Sequence, residues 1–135
     1  MTRTGIRAAA IIIKNDKILL IHRKKEGKEY WVFPGGGIED AETGEETVLR
    51  EINEETGLIA KNAVLAFMDF NVNAEHPFYF VEVEGEEVKL GGPEVERNSE
   101  NNWYQPEWVE LSEVPNINLV PETAKEKLLK HVNNE

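Results

Sequence analysis

Apolar and polar positions along the chain divide it into strand-like runs and two helical stretches. Ala8 to Ile13 is an unbroken apolar run between Arg7 and Lys14, which predicts a buried strand. Asn15-Asp16 is a turn signal. Ile18 to Arg23 is a second β-type run, so the two runs predict a hairpin. Lys24 to Glu29 reads as a charged loop, and Tyr30 to Phe33 as a short strand halted by Pro34. From Leu58 to Val72 the chain is β-rich. Val64, Ala66, Met68 and Phe70 alternate with Leu65 and Phe67 between them, which predicts that both faces are partly buried. Phe78 to Glu84 reads as another strand, and Gly91-Gly92-Pro93 opens an irregular polar loop that runs to about Gln105. Trp108 to Leu111 follows as a short strand and Ser112 to Pro115 as a brief helical turn. Pro121 suits a helix start. Ala124, Leu128 and Val132 then recur at i, i+4 and i+8, the spacing of a helix that packs one stripe.

The other helical stretch follows three glycines, Gly35, Gly36 and Gly37. Thr43 and Glu46 form a Thr-x-x-Glu capping box, and Gly57 suits the left-handed residue that closes a helix, so a helix is predicted from about Gly44 to Thr56. On a 3.6-residue turn Val48, Leu49 and Ile52 form one face. Glu51, Glu54 and Glu55 stand at i, i+3 and i+4 and form another. Like charges at this spacing repel by about 0.2–0.5 kcal/mol, which a hard cation would relieve. Oxygen-only ligands suit Mg²⁺ or Mn²⁺, and Mg²⁺ commonly binds substrate phosphates at the same time. A solvated acidic face is the alternative. The glycines upstream weigh toward a ligand, because backbone without Cβ atoms allows close approach.

Composition narrows the setting. A chain of 135 residues with 40% hydrophobic and 30% charged residues reads as one globular domain, 1–135. It has no apolar run long enough for a membrane span, and its N-terminus shows no secretory pattern. Cysteine is absent, which removes disulfides and thiol chemistry; with the other features this predicts a cytoplasmic protein. A net charge of −11 argues against non-specific binding to nucleic acid or to an anionic membrane. A polyphosphate substrate would then need metal ions and a few local Lys or Arg. Strands outnumber helices and the two alternate, so the class is α/β or α+β.

Gly36, five residues, Glu42, seven residues, and then Arg50-Glu51-Ile52-Asn53-Glu54-Glu55-Thr56-Gly57-Leu58 resembles the complete Nudix box, Gly-x5-Glu-x7-Arg-Glu-U-x-Glu-Glu-x-Gly-U with U aliphatic. Every fixed position is filled, over about a sixth of the chain. The resemblance implies the Nudix fold, a mixed β-sheet sandwiched between α-helices. It also implies metal-dependent hydrolysis of a nucleoside diphosphate linked to another moiety. A cation can polarise a phosphoryl oxygen and acidify a bound water. No nucleophile–base arrangement suggests a covalent route, since the histidines His22, His76 and His131 are scattered.

Carried over position by position, Glu51, Glu54 and Glu55 match the family's metal ligands, and Gly35 matches the residue whose carbonyl can join them. Gly36 and Gly37 are the substrate-facing glycines of the loop. Glu42 supports the site, and Arg50 reads as a structural partner of a carboxylate rather than a catalyst. The general base is the residue matching Glu51 in some members and a loop glutamate in others. Here the loop holds Glu94, Glu96 and Glu100, with Glu94 and Glu100 the candidates; Glu100 is taken with Glu51, Glu54 and Glu55 as catalytic. The alternative for all three is a solvated loop charge. Arg23, read as ending its strand, is a candidate for the substrate phosphates or else an exposed arginine. Tyr30 and Trp31 offer stacking surface, Phe33 reads as core, and Trp103 and Tyr104 are loop aromatics that could meet a ligand. His22 and His76 are not expected to be ligands.

Downstream of the box, Ala60 to Phe80 shows no proline-centred ADP-ribose signature, no NADH-type Ser-Gln-Pro run and no coenzyme A pattern. Tyr79 lies too far along for the dinucleoside-polyphosphate tyrosine. By elimination the expected substrate is a nucleoside triphosphate or related small nucleotide. Two other readings compete: a Nudix-fold module that senses a nucleotide without cleaving it, and an acidic interaction domain. Oligomeric state is not readable, and a homodimer stays open.

Overall fold

The computed structural model describes residues 3–71, 73–85 and 102–133. Through these the chain runs β1 (Arg3–Ile11), β2 (Ile13–Lys14), β3 (Lys17–Lys25), β4 (Lys28–Val32), β5 (Gly35–Glu39), α1 (Gly44–Thr56), β6 (Ile59–Asn71), β7 (Ala74–Glu84), β8 (Asn102–Glu110), a 3-10 turn (Leu111–Asn116), β9 (Leu119–Val120) and α2 (Glu122–Asn133). The class is α+β. One mixed sheet has the order β5-β1-β7-β6, with β1 antiparallel to β5 and parallel to β7. In the second sheet β3 pairs with β2, β4 and β8, and β9 joins β4 in parallel.

The apolar run from Arg7 to Lys14 belongs to both sheets, which corrects the simple hairpin. Ala9 pairs with Gly35 and Phe78, whereas only Ile13 and Lys14 pair with β3. The run serves two cores. Ala8, Ala10 and Ile12 pack with Val48 and Ile52 of α1, while Ala9 and Ile11 pack with Phe33, Phe78, Leu119 and Leu128. The first sheet therefore has α1 on one face, and on the other an apolar layer to which α2 contributes Ala124 and Leu128. This is the sandwich of helices around a mixed sheet that the box implies.

Several features differ from the sequence pattern; the glycines Gly35, Gly36 and Gly37, expected in a loop, are strand, paired with Ala9, Ala8 and Arg7 of β1. Asn15 and Asp16 form the expected tight turn, with φ of 55° and 64°. Glu26 and Gly27 form another such turn, so most of the stretch expected as a charged loop is paired strand: Lys24 lies opposite Glu29 and Lys25 opposite Lys28. This end of the hairpin is exposed to solvent, so apolar alternation does not mark it. Asn102 to Gln105, expected in the polar loop, pair residue by residue with Lys25 to His22, because β3 supplies a full ladder for polar residues to follow. Finally, β6 is a sheet edge. Ile59, Val64, Leu65 and Phe70 are each more than half exposed, so the expected partial burial is limited to residues such as Ala66 and Phe67.

Candidate active site

Helix α1 is started by its predicted cap. Thr43 Oγ1 accepts from the Glu46 amide at 3.1 Å, and the Thr43 amide donates to Glu46 Oε1 at 2.9 Å. It stops at Gly57, whose φ is 77° and whose amide donates to the Asn53 carbonyl. Thr47, Val48, Ile52 and Thr56 are buried, and Leu49 packs at the core's margin. That anchoring fixes the opposite stripe of the helix toward β5.

Contacts around the stripe link the three box carboxylates. The Gly35 amide donates to Glu55 Oε1 at 3.0 Å. Glu51 lies directly over Gly36: a Cβ there would come within 2.4 Å of the Glu51 carboxyl carbon and Oε2. Arg50 Nη1 donates to Glu51 Oε2 at 3.1 Å and to Glu54 Oε1 at 3.4 Å. Glu51 and Glu54 thus converge on one nitrogen, and Glu51 and Glu55 on neighbouring glycines. Gly35 is itself obligatory. Its φ of 152° is one that side chains rarely adopt, and a Cβ would meet the Ala8 carbonyl at 2.2 Å. As the carboxylates are held, no three acidic or histidine side chains among the described residues close around one point. Their donor chemistry, oxygen alone, is that of a hard divalent cation.

Behind the stripe Arg50 and Glu42 make a fork-to-fork pair, Nε to Oε2 at 2.7 Å and Nη2 to Oε1 at 2.9 Å. The Thr47 hydroxyl and the Glu39 amide also donate to Glu42. The guanidinium and then the Thr47 hydroxyl hold the Glu42 carboxyl at about 2, below its usual 4.5. Reciprocally, the hydrogen bonds to Glu42 raise the Arg50 value further. Arg50 is thus a structural partner of Glu42 and also the group that draws Glu51 and Glu54 together.

Arg23 does not end its strand; it lies two residues inside β3 and is half-buried. Its Nη2 donates to Asn102 Oδ1 at 3.1 Å, and its guanidinium lies 4.0 Å from the Tyr104 ring centre and 5.6 Å from that of Tyr30. Tyr104 is therefore on a strand supporting Arg23, not on a loop. Trp103 sits edge-on to His22, and Trp31 stacks on that ring at 4.2 Å. His22 is held between Glu29 and Glu107. Phe33 is core, 3% exposed and edge-on to Phe78. Glu94, Glu96 and Glu100 lie outside the described residues.

Sequence reasoning missed a cavity of about 550 Å³ on the face of the first sheet opposite α1. Gly5, Arg7 and Ala9, alternate residues of β1, line it with Arg23, Phe33 and Asn71. Ala9 is paired with Gly35, so this cavity and the box carboxylates lie on opposite faces of the same strands. The signal available in the sequence was Arg7, a charge set at the head of an apolar run.

Residues 4–129 match the model of the NUDIX domain. The chain belongs to the NUDIX family. Hydrolases of this family generally need a divalent metal. Over 58 residues the NUDIX chain is 58% identical to an ADP-ribose pyrophosphatase of Methanocaldococcus jannaschii, a match covering 42% of this chain and 34% of that protein. Over 55 residues it is 42% identical to an RNA pyrophosphohydrolase of Pseudoalteromonas translucida, covering 40% and 32%. The chain thus spans about a third of the length of the curated relatives it matches. Among solved structures, a MutT NUDIX hydrolase from Burkholderia pseudomallei aligns with a TM-score of 0.67 at 24% identity, over 90% of this chain and 95% of that one. A MutT protein from Methanosarcina mazei aligns at 0.66 and 19% identity, over 96% and 93%. These structural likenesses establish the fold.

Proposed function

We propose that this NUDIX domain hydrolyses a phosphoanhydride bond in a nucleoside diphosphate linked to another moiety, by attack of water. The observation that carries the reading is the linkage of Glu51 and Glu54 by Arg50 Nη1, with Glu55 on the Gly35 amide and Glu51 packed over Gly36. In this reading Glu51, Glu54, Glu55 and the Gly35 carbonyl hold Mg²⁺ or Mn²⁺. When bound, such an ion neutralises phosphate charge and acidifies a coordinated water. Gly36 and Gly37 let the diphosphate approach the main chain, and Arg23, which lines the cavity on the other face of β1, is left to another part of the substrate. Glu51 takes the proton from the attacking water, with Glu94, Glu96 or Glu100 the alternative bases. Arg50, held by Glu42, keeps Glu51 and Glu54 in place.

The favoured substrate is a nucleoside triphosphate or related small nucleotide. ADP-ribose joins the panel through the relative from Methanocaldococcus jannaschii. A net charge of −11 weighs against a long RNA chain. A cytoplasmic setting is part of the proposal; no helix among the described residues is long and apolar enough to cross a membrane. The second reading is a nucleotide-sensing module. It draws on the fact that Arg50 occupies Glu51 and Glu54 as placed.

Phosphate and nucleotide release should be followed across nucleoside triphosphates, ADP-ribose, dinucleoside polyphosphates, NADH and coenzyme A, with Mg²⁺, with Mn²⁺ and with chelator. The expected result is metal-dependent cleavage of one class. Glu54→Gln or Glu55→Gln should lower turnover by about a hundredfold or more, because each removes a ligand of the charge-stabilising ion, while the melting temperature is retained. Turnover that survives both changes refutes the site. Tight nucleotide binding without cleavage favours the sensing module.

A further inference from the structure

Strand β6 borders the first sheet, and among the described residues no strand pairs with its outer side. It is 13 residues long, contains no proline and holds two charges, Lys61 and Asp69. Asp69, an acid lining the cavity described above, is buried and bonded to Lys127, so Lys61 is the strand's one exposed charge. Free N–H and C=O groups along an edge favour a further strand, and native edges of this length are usually blunted by charge, proline or a cover.

What this edge carries instead is apolar. Ile59, Val64, Leu65, Met68 and Phe70 are each between 38% and 63% exposed, and they occupy both faces. Ala60 and Ala63 pack with the core under α1, which puts Leu65 on that face and Ile59 and Val64 on the other. Beyond the register shift that follows Leu65, Phe67 packs into the second core and Asp69 bonds α2, so Met68 and Phe70 return to the α1 side. A partner packed flat on the sheet would cover one of these sets. A strand laid along the edge covers both, because its own side chains alternate. At about 200 Å² for a large apolar side chain, the exposed fractions amount to about 500 Å² per copy. With interfaces about 60% apolar, that corresponds to about 800 Å² per partner, the standard size of a stable pair. A net charge of −11 makes two copies repel wherever their charged surfaces meet, and β6 is a long stretch where they need not.

We propose that β6 is the contact surface for a second copy of this chain, paired antiparallel with its own counterpart so that the two four-stranded sheets become one. The free part of the edge places the two-fold axis. Register shifts fall between Ala60 and Asn62 and between Leu65 and Phe67, and Lys127 Nζ donates to the Met68 carbonyl at 2.6 Å. Asn62 to Leu65 lies between these features in unbroken register with β7, so the axis passes there. An isologous contact uses the same edge on each copy and closes as a dimer. The inference is independent of the hydrolase reading.

Sedimentation of the full chain over a range of concentrations should reach twice the 15.4 kDa of one copy. Val64→Lys and Leu65→Lys each set like charges against one another at the axis and should raise the dissociation constant by about tenfold or more. Both side chains are more than half exposed in the single chain, so the circular dichroism spectrum should not change. Geometry is tested separately. The chain has no cysteine, so one introduced cysteine reports alone. Asn62→Cys, Ala63→Cys, Val64→Cys and Leu65→Cys, oxidised one variant at a time, should give a disulfide-linked dimer in at least one case. A residue at the axis faces its own copy about 4.5–5.5 Å away, within reach of a disulfide. Phe70→Cys should give none, because it would lie roughly 40 Å from its copy. A wild type that stays at 15.4 kDa throughout overturns the proposal and leaves the edge to an extended strand of another protein. A dimer that neither lysine weakens and that no cysteine from 62 to 65 links overturns the assignment to β6.

Discussion

Glu42 shows how one side chain serves the site without touching substrate. Its carboxylate takes hydrogen bonds from Arg50, Thr47 and the Glu39 amide, and these hold its value at about 2. The folded value lies below the ordinary 4.5, so the pair's contribution to stability is present above about pH 4.5 and is lost as the pH falls toward 2. In Glu42→Gln that dependence should flatten. Urea midpoints at pH 7, 4.5 and 3 would show it, and parallel curves for the two proteins would remove Glu42 from the account. Arg50 should also lose part of its hold on Glu51 and Glu54. Arg50 follows directly from the box, whereas Asn102 and Tyr104 could not be read as partners of Arg23, because their roles depend on a pairing between residues about 80 positions apart.

At the scale of elements, α1 has its start and stop written locally. Thr43→Ala removes the hydroxyl that accepts from the Glu46 amide and should cost about 1 kcal/mol, which for a domain of this size is a fall of about 3–5 °C in melting temperature. Circular dichroism melts would measure it, and an unchanged midpoint would mean that tertiary packing alone sets the helix start. Strands were legible in proportion to how apolar they are. Ile18 to Arg23 and Phe78 to Glu84 stand out, whereas Asn102 to Gln105 is polar and becomes strand only because β3 offers a ladder. The Asn15-Asp16 turn was readable from residue type. The Glu26-Gly27 turn was hidden within a run of charges.

Across the whole molecule the decisive contacts join distant segments. Lys127 on α2 and Asp69 on β6 form one, with the carboxylate buried and the lysine side chain 40% exposed. Lys127→Met leaves Asp69 with Thr123 as its remaining side-chain partner among the described residues and should cost about 1–3 kcal/mol, less than a fully buried pair because water reaches the lysine. Chemical denaturation of Lys127→Met, Asp69→Asn and the double variant would give the coupling, and additive losses would deny it. The same pair neutralises the acid of the cavity, so the charge balance there depends on the C-terminal helix.

By itself the sequence determined the capped helix, the carboxylate stripe on it, the glycines beneath, the tight Asn-Asp turn and the family. All of these depend on residues within one short stretch, where spacing along the chain translates directly into geometry. Only the tertiary structure decided that the first apolar run passes between two sheets, that a polar segment completes the second sheet, and that Arg7 and Arg23 line one cavity. Those outcomes depend on which segments meet, and a strand's partners leave no mark in its own pattern beyond the demand that something apolar cover it.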